Sequence, residues 1–228
     1  MSASVLDSNK AFSATNNAAF VGTNAFTASG WFRLTTNPSA YGYFFGNNNG
    51  ATKGWVLYED AAGDLKPAAA VSDGTDALTA IDTTAFTIDT WVFVAVTYDA
   101  TNIRYYRGTE TVSPVLITTT AQSGNMGTAT DNLTFGFLDA DATYRALLIS
   151  DCRIYNNTVR SQADIQSDYL RRLNGNETGL TDYWKFNETS GNTATNSTSA
   201  RNATATAASW SIDNPAFPAS GTGFFAFM

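Results

Sequence analysis

The residues able to do chemistry in this 228-residue chain are few, and their spacing limits what they could do. Histidine is absent, which removes the commonest general base, the usual nucleophile–base triads and imidazole-bound zinc together. The single cysteine, Cys152, leaves no intrachain disulfide and no thiolate cluster; it lies in an apolar run and reads as a small buried hydrophobe. Acid–base work on a glycosidic bond would need two carboxylates about 5 to 9 Å apart on rigid elements. The acidic neighbours available are Glu59 with Asp60, Asp73 with Asp76, and Asp139 with Asp141. All sit beside turn residues and read as solvated loop charges, so the expectation is a protein that is not an enzyme.

Recognition by shape and amide contacts remains open. Sugar rings stack their apolar face on an exposed aromatic, while neighbouring amides and hydroxyls satisfy their hydroxyl groups. Tyr41, Tyr43, Trp55 and Tyr58 surround an amide-rich stretch, and the candidate glycan contacts are Tyr41, Tyr43, Asn47, Asn48 and Asn49. The loops Ser72 to Asp76 and Leu138 to Thr143 are further candidates. Aromatics make up 13% of the chain, so most rings must be core, Trp31, Trp91 and Trp184 among them. Net charge is −7 and charged residues are only 14%, against an average of about 25%. That field opposes neutralisation of phosphates, and a nucleic-acid partner is not expected. No run approaches the roughly 20 apolar residues of a membrane span, and Met1 to Lys10 lacks the apolar core of an export signal. The expected working place is extracellular or on a virion surface reached by assembly.

The elements that would position these residues are mostly short strands. Ala28 to Leu34, Ala40 to Gly46 and Trp55 to Tyr58 read as three successive strands. Trp91 to Tyr98 is the clearest: Trp91, Phe93, Ala95 and Thr97 face one way, Val92, Val94, Val96 and Tyr98 the other. Apolar groups on both faces place it centrally in its sheet. Asp99 to Asn102 turns the chain into Ile103 to Tyr106, with a second turn expected at Arg107 and Gly108. Further strands are expected at Val115 to Thr119, Leu133 to Phe137, Tyr144 to Tyr155 with a break inside, and Thr181 to Phe186. One helix is expected, with Ser161 as N-cap, Asp164 in the first turn, and Ile165, Tyr169 and Leu173 on one face. Arg171 and Arg172 would complement its C-terminus and Gly175 would end it, making a short cover over one end of the sandwich.

The strings FTASGWFRL, WVFVAVTYDATNIRYYRG and ISDCRIYNNTVRSQADIQSDYL resemble, in order and spacing, the laminin-G-like or concanavalin A-like lectin/glucanase superfamily, in its pentraxin-related bacterial and phage modules. The resemblance covers roughly residues 10 to 210. It implies an all-β fold, a two-sheet antiparallel jelly-roll β-sandwich with one short helix. The segment GLTDYWKFNETSGNTATNSTSARNATATAASW, residues 179 to 210, resembles the part that commonly opens such modules; here it comes last, and circular permutation is the expectation. The E-x-D-x-x-E strand motif of the superfamily's glucanases does not occur. Glycan binding is what the resemblance implies at family level, with cell-surface glycans as partners. It also implies calcium as the one cofactor to look for, with Asp151 and Asn16 or Asn17 as candidate ligands.

Residues 1 to 210 read as the sandwich and 211 to 228 as an extension rich in Pro and Gly with an aromatic end. Phe224, Phe225 and Phe227 are candidate docking residues, suited to insertion into a neighbour at an open sheet edge. Capsid or tail proteins of a phage-like particle, or a second copy of the chain, would be the partner of such an arm. A final strand or plug on its own sandwich is the other outcome.

Overall fold

The computed structural model describes residues 1–5, 9–15, 24–36, 42–47, 53–59, 65–73, 77–127, 129, 131–138, 143–199 and 201–217. In chain order the strands are β1 (Ser2–Val5), β2 (Phe12–Ala14), β3 (Phe26–Leu34), β4 (Gly42–Gly46), β5 (Lys53–Glu59), β6 (Pro67–Asp73), β7 (Ala77–Ile81), β8 (Val92–Tyr98) and β9 (Asn102–Thr109). They continue with β10 (Val115–Ala121), β11 (Leu133–Phe135), β12 (Phe137–Leu138), β13 (Thr143–Tyr144) and β14 (Leu147–Asn156). Helix α1 (Gln162–Asp168) follows, then β15 (Asp182–Trp184), β16 (Thr193–Ala194), β17 (Ala203–Thr204) and β18 (Ser209–Ser211). One sheet runs β10-β9-β8-β3-β14-β1-β18, with β15 also bonded to β14; the other runs β16-β17-β2-β11-β4-β5-β6-β7. Every pairing in both is antiparallel, as a jelly-roll sandwich requires.

Strand β8 shows why the first sheet is buried on both faces. Val92, Val94, Val96 and Tyr98 belong to the core between the sheets, whereas Phe93 and Ala95, with Trp91, join a second cluster on the outer side. The second cluster is completed by Trp31, Tyr106, Leu148 and, from the helix region, Ile165 and Tyr169. Helix α1 therefore covers the outer face of this sheet, not one end of the sandwich. Its N-terminus is the expected capping box: the Asp164 amide donates to the Ser161 side chain, and the Ser161 amide donates to Asp164. The helix stops at Asp168, earlier than the spacing of Leu173 suggested, because the groups that a further turn would pair are taken elsewhere: the Leu173 amide donates to the Tyr183 hydroxyl and the Tyr169 carbonyl is held by Trp31. The Trp31 indole N–H donates to the Tyr169 carbonyl at 2.7 Å.

Two other boundaries differ from expectation for local reasons. Strand β9 continues through Arg107 and Gly108, which pair with Val94 and Phe93, and the turn moves past Thr109. Gly108 is needed there because Pro114 packs against it: an added Cβ would lie 2.9 Å from the proline ring. The strand expected over Leu133 to Phe137 is split at Gly136, whose φ of +74° turns the chain out of β11.

In β14 the break is a bulge between Ser150 and Arg153, with Asp151 at φ +60°. The extra residue shifts the alternation, so Leu147, Ile149, Cys152 and Ile154 all face the core. Cys152 is fully buried, and burial pushes its thiol well above the ordinary range. The segment from 179 to 210 supplies β15 and β18 to one sheet and β16 and β17 to the other, so it is woven into the same sandwich. Residues 211–217 run on across the first sheet: Asp213 accepts from Arg33, Ser2 and the Trp91 indole, and Phe217 packs edge-on to Trp31.

Candidate functional site

Helix α1 covers the first sheet, so an open binding face has to be sought on the second. On β4 and β5, Tyr43 and Tyr58 are directly opposite each other and point away from the core, to which Trp55 and Leu57 contribute on the other face. Their rings lie nearly parallel, with centroids 6.1 Å apart and planes at 21°. Both are half-buried. The Tyr58 hydroxyl reaches Thr79 Oγ1 on β7 at 3.3 Å, and to do so its side chain crosses β6. The residues of β6 on that face are Ala68 and Ala70, paired with Tyr58 and Val56. Alanines there leave room for a ring to lie across the strand, and both are buried beneath it. The result is an aromatic shelf of Tyr43 and Tyr58, flanked by hydroxyls at Thr79 and at the ring tips. Such a shelf can stack a pyranose face and accept or donate hydrogen bonds at its edge.

The remaining sequence candidates divide. Asn47 is buried and its Oδ1 accepts from the Trp55 amide, so it organises the β4–β5 connection and does not face solvent. Trp55 is core. Tyr41, Asn48 and Asn49 lie outside the described residues, as do Asn16 and Asn17, residues 74–76 and 139–142, and the arm residues Phe224, Phe225 and Phe227. Trp31, Trp91 and Trp184 are buried as expected.

Asp151, the acidic member of the expected calcium set, is fully buried beside the bulge. One carboxylate oxygen pairs with Arg153 and the other accepts from the Tyr183 hydroxyl, which itself accepts from the Leu173 amide. A cation at Asp151 would have to displace a guanidinium, so this carboxylate is committed to its ion pair, while Asn16 and Asn17 lie outside the described residues. Among the described residues, no three His, Cys, Asp or Glu side chains converge as metal ligands would.

The same pairing holds for every buried carboxylate described. Glu59 faces Arg145, Asp82 faces Arg107, Asp168 faces Arg160 and Arg171, and Asp182 faces Arg201. Each of these five acids has an arginine as its near partner, an arrangement that fixes a structure. Burial raises the Asp182 carboxyl from its ordinary value, against the pull of Arg201, Ser199 and Asn196, and those three side chains engage both of its oxygens.

Sequence reasoning missed the floor of the shelf. Pro67–Asp73 and Ala77–Ile81 were not read as strands, because alanine is a weak strand former and neither run carries the aromatic or β-branched density of β8. The available signal was the turn-rich Ser-Asp-Gly-Thr-Asp of residues 72–76 between two runs of small apolar residues, the pattern of a hairpin.

Comparison with known proteins agrees with this architecture. A laminin-G-type family model, described as the concanavalin A-like lectin/glucanases superfamily, matches residues 7–166. No curated protein sequence matches. Among solved structures, a putative carbohydrate binding protein from Bacteroides ovatus superposes with a TM-score of 0.72 at 15% identity, covering 94% of this chain and 60% of that one. The LG4-5 domains of the mouse laminin alpha1 chain give 0.51 at 14% identity, over 68% of this chain and 40% of theirs. The enzymatically active domain of bacteriophage CBA120 tailspike protein 2 gives 0.53 at 14%, over 75% and 28%. The chain thus spans less than two thirds of the length of each.

Proposed function

The chain belongs to the concanavalin A-like lectin/glucanase superfamily, and from that premise we propose that it is a non-catalytic module that binds glycans at an outer surface through the Tyr43–Tyr58 shelf. The observation that carries this reading is the pair of near-parallel, half-buried rings on the face that the helix leaves open. Two further features support it. The similar Bacteroides ovatus protein is described as carbohydrate-binding, and the buried carboxylates are tied to arginines. A low charge density suits contacts made through hydroxyls, amides and ring faces.

A virion decoration or attachment role is the second reading, with capsid or tail proteins as partners. It is favoured by the shared fold with a phage tailspike and is compatible with glycan binding on a host surface.

A glycan array followed by titration of the best hit tests the proposal. Tyr43→Ala and Tyr58→Ala should each weaken binding at least tenfold, while the melting temperature of Tyr43→Ala stays within a few degrees of the parent. Binding that is unchanged in both variants, or absent across neutral and acidic glycans alike, would overturn it.

A further inference from the structure

An apolar groove at the edge of the first sheet has no role in glycan binding by the shelf. Strand β10 is the last strand of that sheet and carries no charged residue, an open edge of the kind proteins usually blunt. Val115, Leu116 and Ile117 are each about 40% exposed and Val112 is 56% exposed. The start of the edge is covered from the helix, where Gln162 accepts from the Leu116 amide and Gln166 donates to the Pro114 carbonyl, and at its far end Thr120 donates to the Thr79 carbonyl of β7. Beside it, Val112, Val115 and Ile117 meet Gly108, Thr109, Thr84 and the Asp82–Arg107 pair around a cavity of about 250 Å³. A dry cavity of about 150 Å³ takes up benzene, so this one has room for at least one phenyl side chain.

The described chain ends next to this groove. The Ala216 amide donates to Glu110 Oε1 at 2.7 Å, and Glu110 directly follows Thr109 of the groove wall. Phe217 is fixed between Trp31 and the Arg172 guanidinium. Residues 218–228 follow, carrying Gly221, Gly223, Phe224, Phe225 and Phe227 and no charged side chain. Phe224 is seven residues past Phe217, a reach of up to roughly 23 Å. A segment tethered this close meets the groove at an effective concentration in the millimolar range.

We propose that residues 218–228 occupy the β10 groove of their own chain, seating phenylalanine side chains against Val112, Val115 and Ile117. The segment then acts as a plug that seals an open edge, independently of the glycan shelf.

Disulfide trapping tests this directly, because the native Cys152 is buried and does not compete. Val112→Cys combined with Gly223→Cys leaves all three phenylalanines in place. Mild oxidation should give an intramolecular link in the monomer, seen as a mobility shift and a linked peptide, at least tenfold faster than in a control pairing Gly223→Cys with Asn187→Cys. Links found only between chains would assign the groove to a second copy and overturn the proposal. Equal rates in test and control would overturn it as well.

Discussion

At the scale of single residues, each buried carboxylate described is matched by arginine. Arg145 and Glu59 are both fully buried, with Nη2 and Oε2 3.2 Å apart. Burial pulls the Arg145 guanidinium below its ordinary value, and Glu59 opposes that pull. The arginine stem lies over Gly42, where an added Cβ would come within 2.2 Å of Arg145 Cδ, so glycine at 42 is a requirement of the pair. Removing one member of a buried pair strands the other charge and costs about 3–5 kcal/mol. Arg145→Met should therefore lower the melting temperature by roughly 10 °C, at ~2–4 °C per kcal/mol. Glu59→Leu with Arg145→Met should recover most of that loss, which thermal unfolding of the three variants would show. The Glu59–Arg145 pair was not legible in the sequence, because one partner ends β5 and the other lies in the link between β13 and β14, and the two meet only in the folded sandwich. Asp151 shows the same limit: the family resemblance suggested it as a calcium ligand, and only the folded structure reveals that Arg153 and Tyr183 already engage its oxygens.

Elements were legible where side-chain chemistry acts locally. The alternation of β8, its central position and the Ser161 cap all follow from nearest neighbours in sequence, and the structure bears them out. Helix length was not legible, because the stop at Asp168 comes from Trp31, 138 residues distant from the Tyr169 carbonyl it binds, and from the Tyr183 hydroxyl that takes the Leu173 amide. A seven-residue helix has little intrinsic stability and depends on its cap and on packing. Ser161→Ala should cost about 1 kcal/mol at neutral pH. The Asp164 carboxyl is held below its ordinary value by hydrogen bonds from the Ser161 side chain and amide. A carboxyl with a lowered folded-state pKa stabilises above its unfolded value of about 3.9, and that contribution fades as pH falls through the lowered value. The stability gap between the parent and Asp164→Asn should accordingly narrow below about pH 4, as denaturant titrations at several pH values would show. The hairpin of β6 and β7 escaped the sequence because its alanines serve to make room, a role visible only once Tyr58 is seen to cross them.

For the whole molecule, the run of short strands between regular turns was enough for the fold class, and the resemblance of three strings was enough for the family. Neither was enough for the binding face. Which of the two sheets stays open is decided by where α1 and residues 211–217 settle, and both settle on the same one. The account thus assigns glycan recognition to the outer face of the second sheet and confines the aromatic plug to the edge of the first. Amide chemical-shift mapping with the best glycan from the array measures this most directly. The account predicts perturbations concentrated in Gly42–Gly46, Lys53–Glu59 and Pro67–Asp73. Perturbations centred on β10, on α1 or on residues 211–217, with those three strands silent, would contradict it.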